Sequence, residues 1–104
     1  MSLNELRKRI DKVDQKLVAL LNDRTRIAIE IGKLKESQGL APYDPVREQK
    51  VLQMVAELNT GPLDNSALKA IYREIMSSAL AVEKRNSRPH RGCQTKSRAA
   101  TRPQ

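Results

Sequence analysis

Permanent cations interrupt the most regular apolar pattern in this chain, and their spacing suits the binding of an anion. An apolar stripe with alternating steps of four and three residues is formed by Leu6, Ile10, Val13, Leu17, Leu20, Ile27, Ile31 and Leu34. Arg24 occupies the stripe position between Leu20 and Ile27. Arginine cannot lose its charge, so a buried Arg24 needs a counter-ion. At about 100° per residue, Lys35 falls on the same helix face three turns later, which predicts an anion pocket.

Further charges adjoin the apolar faces of two later segments. Arg47 heads one apolar stripe, and Asp44 and Glu48 lie one turn apart beside it. On a third segment, Tyr72, Met76, Ala79 and Glu83 line up along the inner apolar face, and Glu83 is at its end. Each charge alone is most simply a solvated surface group. Because several cations converge on apolar faces, where unpaired burial would be prohibitive, a ligand that carries carboxylates is indicated.

Three helices account for these patterns, and the predicted fold class is all-α. Ser2 and Glu5 fit a capping box before the first helix, and Asp44 followed by Pro45 is a start signal for the second. The helices are predicted over residues 3–38, 45–58 and 66–84. The predicted inner face of the second helix is Val51, Met54, Val55 and Leu58. A composition without Phe or Trp fits an aliphatic helical core.

The first helix is too long for one small globule. At 1.5 Å per residue it extends about 50 Å, whereas a compact chain of this length has a radius of gyration of about 13 Å. The other helices cannot cover so long a stripe, which predicts an intertwined homodimeric helical bundle. Arg7 lies 17 residues before Arg24 and points about 100° away from that face. It is therefore expected to serve the partner's pocket.

The cysteine content and the hydropathy of the sequence indicate the cellular compartment of the protein. No stretch has the length of apolar sequence needed to span a bilayer, and the N-terminus lacks the apolar core of a signal peptide. A cytoplasmic protein without a membrane association is therefore expected. Cys93 is the single cysteine, so an internal disulfide is excluded. His90 and Cys93 have the spacing of half a zinc site, but no second half follows, so no metal is expected.

The net charge of +8 is concentrated at the C-terminal end. Residues 84–104 hold seven Lys and Arg and no acid. The predicted organisation is a helical domain over residues 1–84 and a basic, disordered tail over residues 85–104. The tail could touch nucleic acid, but it has no aromatic residue to stack on a base. A solvated extension is the simpler interpretation.

Three motifs connect the chain to a known family: "LRKRIDKVD", "LLNDRTRIAIEIGKLK" and "YDPVRE", in that order. With them, residues 3–83 resemble the all-helical (AroQ-type) chorismate mutases. The "YDPVRE" form looks most like the mutase domains fused to DAHP synthase, so association with that enzyme is a further expectation. The resemblance implies the pericyclic rearrangement of chorismate to prephenate in aromatic amino acid biosynthesis, with no metal or cofactor.

The resemblance also implies roles for the cations. Arg24, Lys35 and Arg47 match the residues that hold the two carboxylates of chorismate. Lys35 also matches a donor to the ether oxygen of the substrate. Arg7 matches the arginine that is donated across the dimer interface.

The acidic positions are partly typical of the family. Asp44 and Glu48 match positions near the substrate hydroxyl. Ala79 stands where a serine can help to bind a carboxylate, so that contact is expected to be missing. Glu83 stands where many members have glutamine, the second donor to the ether oxygen, so the pH dependence should differ. Lys35, Glu83 and Arg24 are the predicted catalytic residues, within a binding set that adds Arg7, Asp44, Arg47 and Glu48.

Two alternatives remain open at this stage. An isochorismate–pyruvate lyase shares the fold and the cationic pocket, and its products would distinguish it. A basic helical dimerisation or nucleic-acid-binding module would bind through residues 85–104, with a steep dependence on salt. Arg24 within the apolar stripe argues against this second alternative, since a phosphate-binding arginine belongs on an outer face.

Overall fold

A computed structural model of the chain describes residues 1–87 and contains three helices. Their bounds are α1 (Leu3–Ser37), α2 (Pro45–Leu58) and α3 (Asn65–Ser87). No strand occurs within residues 1–87, so the predicted all-α class and the number of helices are confirmed. The predicted tail lies almost entirely outside the described residues, as do His90 and Cys93.

The third helix is longer than predicted. It continues to Ser87, three residues beyond its predicted end at residue 84. Lys84 and Arg85 in the last turn suit the negative end of the helix dipole. The side-chain amide of Asn86 donates to the carbonyl oxygen of Val82 at 2.9 Å. These local interactions extend the helix beyond the last residue of its apolar face.

The capping box at the start of α1 forms as predicted. The Glu5 backbone N–H donates to Ser2 Oγ at 3.1 Å, and the Ser2 N–H donates to Glu5 Oε1 at 2.8 Å. The hydrogen bond with the Ser2 backbone lowers the pKa of Glu5 most, and the hydrogen bond with the Ser2 side chain lowers it further. Two of the unpaired N–H groups at the helix start are satisfied in this way.

Side-chain caps also fix where α2 and α3 begin. Asp44 Oδ1 accepts from the Arg47 N–H at 3.1 Å, with Pro45 at the first helical position. Asp64 Oδ1 accepts from the Ala67 N–H at 2.7 Å. The first of these caps matters for the site, because it sets the rotation at which α2 presents Arg47 and its neighbours.

The turn after α1 depends on Gly39, which has a φ of 71°. A residue with a β-carbon is disfavoured in this left-handed conformation. The Leu40 N–H donates to the Lys35 carbonyl at 2.8 Å and closes the turn. The chain thereby reverses, and α2 packs on α3 across the cavity from the C-terminal half of α1.

The core is small and lies where α3 packs against both α1 and α2. Its buried apolar residues are Ala28, Val51, Leu52, Val55 and Ala79. The inner face predicted for α2 is therefore only half right. Val51 and Val55 are buried, but Met54 and Leu58 are exposed and Leu52 is buried instead. The reason is that α2 packs on α3 through the side centred on Val51, Leu52 and Val55, and Met54 and Leu58 face away.

The apolar stripe of α1 remains largely exposed within residues 1–87. In the N-terminal half its residues are between 41% and 64% exposed, namely Leu6, Ile10, Val13, Leu17 and Leu20, and Ile27, Ile31 and Leu34 are exposed as well. The principal extents of 55 × 32 × 17 Å and the radius of gyration of 17.1 Å describe an elongated molecule. None of the three helices is both long and apolar enough to cross a membrane.

Candidate active site

A cavity of about 420 Å³ lies between the C-terminal half of α1, the segment before α2, the first turns of α2 and the C-terminal half of α3. Its charged and polar lining consists of Arg24, Lys35, Tyr43, Asp44, Arg47, Glu48, Ser77 and Glu83. Its apolar lining consists of Ile27, Ala28, Ile31, Pro42, Val51, Met76, Ala79 and Leu80. The cavity thus combines several convergent charges with an aliphatic floor.

Six of the seven residues predicted for the site line this cavity, and Arg7 does not. Arg24 and Lys35 lie on one face of α1 with Ala28 and Ile31 between them, as the helical spacing predicted. Arg7 is exposed in the second turn of α1, on the part of the helix that has no partner here. The structure therefore brings together the residues predicted to act within one chain.

The three cations of the cavity are not neutralised by ion pairs inside the described part of the chain. Within residues 1–87, the salt bridge that forms joins Arg26 to Asp23 on the exposed side of α1. Arg24, Lys35 and Arg47 are absent from that pair. A ligand with negative charge could therefore interact with all three without displacing a protein carboxylate.

Lys35 has a second role in shaping the cavity. Its Nζ donates a hydrogen bond of 2.9 Å to the carbonyl oxygen of Pro42, which ties the end of α1 to the segment before α2. An ammonium group has three donors, so two remain for other partners. The bond holds both the lysine head and the segment that contributes Tyr43 and Asp44.

The acids on the α2 side have partners that limit what they can do. Asp44 uses one carboxylate oxygen for the helix cap. Glu48 Oε1 lies 3.5 Å from the Tyr43 hydroxyl, which is long for a hydrogen bond between oxygens. Asp44 therefore has an established structural role, whereas the Glu48 carboxylate is only weakly engaged and faces the cavity.

Glu83 has the most unusual environment in the cavity. Its Oε1 atom is buried without a hydrogen-bond partner in residues 1–87. Burial raises the pKa of Glu83, and the charges of Lys35 and Arg24 partly oppose that rise. A protonated carboxyl can donate a hydrogen bond, and an ionised one cannot. The raised pKa therefore extends to higher pH the range in which Glu83 can act as a donor.

Two contacts at the site were missed by the sequence analysis. The Arg24 guanidinium lies over the Tyr72 ring, and the buried Gly32 faces the Glu83 side chain. Tyr72 was assigned to an inner face but not to a partner. A signal for Gly32 was available, because a glycine inside a well-formed helix usually has a packing or functional reason.

Comparison with known proteins assigns the family. Residues 6–84 match the model of the family "Chorismate mutase type II". The chain therefore belongs to the chorismate mutase type II family, as its resemblance to the all-helical mutases predicted.

No group of three or more His, Cys, Asp or Glu side chains within residues 1–87 is arranged to hold a metal ion.

Curated relatives support this membership and place it within longer proteins. The bifunctional chorismate mutase/prephenate dehydratase of Pseudomonas aeruginosa is 45% identical, with 78% of this chain and 24% of that protein aligned. The protein of the same name from Aquifex aeolicus is 39% identical, over 80% of this chain and 24% of the relative. The chain spans about a quarter of the length of these relatives. They carry a prephenate dehydratase, so a special likeness to domains fused to DAHP synthase is not supported.

Solved structures match the fold closely. Chorismate mutase (form II) from Thermus thermophilus has a TM-score of 0.80 and 34% identity, covering 83% of this chain and 98% of that chain. The Helicobacter pylori chorismate mutase in complex with prephenate has a TM-score of 0.78 and 28% identity, covering 86% and 97%. Both likenesses extend over nearly the whole of the solved chain.

Proposed function

We propose that this chain catalyses the rearrangement of chorismate to prephenate. The observation that carries the proposal is the convergence of Arg24, Lys35 and Arg47 on one cavity with an aliphatic floor. Chorismate is a compact dicarboxylate, so it would supply the negative charge that these cations need. The cavity of about 420 Å³ is of a size typical for small-molecule sites. Family membership and the prephenate complex of the Helicobacter pylori relative support the same choice.

The proposed mechanism needs orientation and charge stabilisation but no chemical group from the protein in the bonds that change. The rearrangement is one pericyclic step, without proton transfer or attack by a nucleophile. Arg24 and Arg47 would hold the carboxylates and keep the substrate in a compact, reactive chair. Lys35 and protonated Glu83 would donate to the ether oxygen, on which negative charge develops as its C–O bond breaks.

We further propose that the active unit is a homodimer in which each cavity is completed by Arg7 of the partner. The exposed stripe on the N-terminal half of α1 supports this proposal, because it is apolar and unpartnered within residues 1–87. Arg7 lies on that same half of α1, outside the cavity of its own chain. A second copy packed on this stripe would bury it and bring a fourth cation to each cavity.

Cytoplasmic location and association with another enzyme are parts of the same proposal. An aromatic biosynthetic role is consistent with both. The names of the relatives favour prephenate dehydratase as the associated activity, because it would consume the product. Association with DAHP synthase, which the motif resemblance led us to expect, has no support in the names of these relatives.

A product assay tests the proposal directly. The protein is incubated with chorismate and, in parallel, with isochorismate, and the products are separated. Prephenate from chorismate is the expected result. Pyruvate and salicylate from isochorismate would instead assign the chain to the lyase alternative.

A pair of lysine variants ties the activity to the cavity. Lys35→Ala removes a proposed donor to the ether oxygen and should lower kcat by about 10²- to 10³-fold. Lys33→Ala changes an exposed lysine on the same helix that does not line the cavity, so it should keep wild-type kinetics. Equal losses in the two variants would contradict the assignment of this cavity as the active site.

A further inference from the structure

At Gly32, α1 packs against α3 with no room for a side chain of ordinary contact distance. This glycine is buried in the interior of α1, where glycine weakens a helix relative to alanine. A β-carbon in ideal geometry on Gly32 would lie 3.1 Å from Cβ, 3.2 Å from Cγ and 3.2 Å from Oε1 of Glu83. These separations are tighter than ordinary van der Waals contact. The Glu83 side chain therefore lies in the space that a β-carbon at position 32 would occupy.

The contact involves the whole length of the Glu83 side chain. Its Cβ and Cγ are both tighter than ordinary contact, so the Glu83 side chain must shift by a few tenths of an ångström to admit a β-carbon at position 32. Its Oε1 is the same atom that is buried without a hydrogen-bond partner in residues 1–87. Gly32 is thus in contact with both the fixed and the functional end of the side chain.

We propose that Gly32 is a positioning residue for Glu83. Because glycine has no side chain, the Glu83 side chain packs directly against α1, and this contact holds its carboxyl in place inside the cavity. This inference rests on the proposed mutase function, in which Glu83 donates to the ether oxygen. Any side chain at position 32 would lift the carboxyl away from the helix. It would then be both displaced from the substrate and more accessible to water.

The packing of Glu83 on Gly32 also affects the protonation of the Glu83 carboxyl. Burial raises the pKa of this carboxyl, and Lys35 and Arg24 oppose the rise. The charged and titratable groups that share the cavity with it are Arg24 and Lys35 on α1, Tyr43 and Asp44 before α2, and Arg47 and Glu48 on α2. Since these groups stay in place when Gly32 changes, a loss of burial alone should shift the titration of Glu83 downward.

The test compares Gly32→Ala with Lys33→Ala, which introduces alanine at the exposed neighbouring position of the same helix. The titration of the Glu83 side-chain carboxyl carbon is followed by NMR in the full chain. In Gly32→Ala the midpoint should fall by about half a pH unit or more, and kcat should fall about tenfold or more. Lys33→Ala should change neither quantity. An unchanged Glu83 titration in Gly32→Ala would overturn the proposal.

A double-mutant cycle separates positioning from simple helix packing. Glu83→Ala removes Cγ and Oε1, two of the three atoms near the added methyl group. Gly32→Ala should therefore lower kcat much less in the Glu83→Ala background than in the wild type. Equal losses in both backgrounds would mean that Gly32 serves only the spacing of the helices, and would overturn the proposal.

Two further readouts cover the remaining outcomes. If Gly32→Ala alone does not fold, the double variant with Glu83→Ala should fold, as followed by circular dichroism, and its failure to fold would count against the proposal. If the wild type does not convert chorismate, the proposed function fails. The NMR titration still decides whether Gly32 controls Glu83, because it does not require activity.

Discussion

The guanidinium carbon of Arg24 lies 6.0 Å from the centroid of the Tyr72 ring. Arg24 is half-buried and has no ion pair within residues 1–87, so the ring contacts its charged group directly, while the Glu83 carboxyl on the same helix interacts with that charge at longer range. Such a contact restrains the side chain without neutralising its charge. The arginine that interrupts the apolar stripe is thereby held ready for an anionic ligand.

Replacement of Tyr72 should weaken substrate binding. Tyr72→Leu removes the aromatic face and leaves the Arg24 side chain free to adopt other rotamers. Because a partly buried cation–π contact contributes about 1 kcal/mol, KM should rise about threefold to tenfold. Tyr72→Phe keeps the ring and is the matched control, with a KM near that of the wild type. A KM that is equal in the Leu and Phe variants would show that the ring does not hold Arg24.

Activity should fall as pH rises through the pKa of Glu83. Burial raises that pKa above its ordinary value, and the protonated form is the one that can donate to the ether oxygen. Glu83→Gln supplies a donor at every pH and should flatten the basic side of the profile. The measurement is kcat/KM from about pH 5 to 9 for both proteins. Parallel profiles would remove the protonated-donor role.

The same residue should make folding stability depend on pH. A carboxyl whose pKa is higher in the folded than in the unfolded chain stabilises the fold at low pH. That contribution is lost as pH rises from the ordinary glutamate pKa of 4.5 through the folded pKa. The stability difference between wild type and Glu83→Gln should therefore change across this window, in favour of the glutamine variant at higher pH. Urea unfolding at several pH values measures it, and a constant difference would contradict the raised pKa.

Much of the fold could be predicted because its signals are local. The Ser2–Glu5 capping box and the Asp44–Pro45 start signal each act within four residues, and both form. The inner face of α2 could not be predicted as well. Met54 and Leu52 are both apolar, and only the angle at which α2 meets α3 decides that Leu52 is buried.

At the site as well, contacts within one helix could be predicted from the sequence, and contacts between helices could not. Arg24 and Lys35 could be placed on one face because a single helix fixes their relative direction. Contacts between different helices were not predictable in this way. The Arg24–Tyr72 and Gly32–Glu83 pairs depend on the separation of α1 and α3, and the Lys35–Pro42 bond depends on the turn at Gly39. Sequence spacing contains no information about these distances.

Removal of residues 88–104 should leave turnover close to that of the full chain. Within residues 1–87, every residue that lines the cavity lies between Arg24 and Glu83, and Arg7 also precedes the deletion. The deletion removes five Lys and Arg, so it also tests the nucleic-acid alternative. Binding of duplex DNA at low salt that disappears with the deletion would support that alternative. A large loss of kcat in a folded truncation would show that this segment contributes to the site.

Subunit mixing tests whether each cavity is shared between two chains. Arg7→Ala and Arg24→Ala homodimers should each be inactive, since every cavity lacks one arginine. A mixed dimer would contain one cavity with both arginines and one with neither. With random exchange between symmetric dimers, roughly a quarter of the wild-type activity should return. Steady-state turnover of chorismate after exchange measures the recovery.

A matched control isolates the shared cavity from other effects of exchange. The Arg7→Ala chain is mixed with a chain that carries both Arg7→Ala and Arg24→Ala, so that no combination restores a complete cavity. This mixture should stay inactive even though the same dimers form, as native mass spectrometry can verify. If the first mixture also stays inactive while mixed dimers are present, Arg7 does not act across the interface. The exposed stripe of α1 would then need a partner for stability alone.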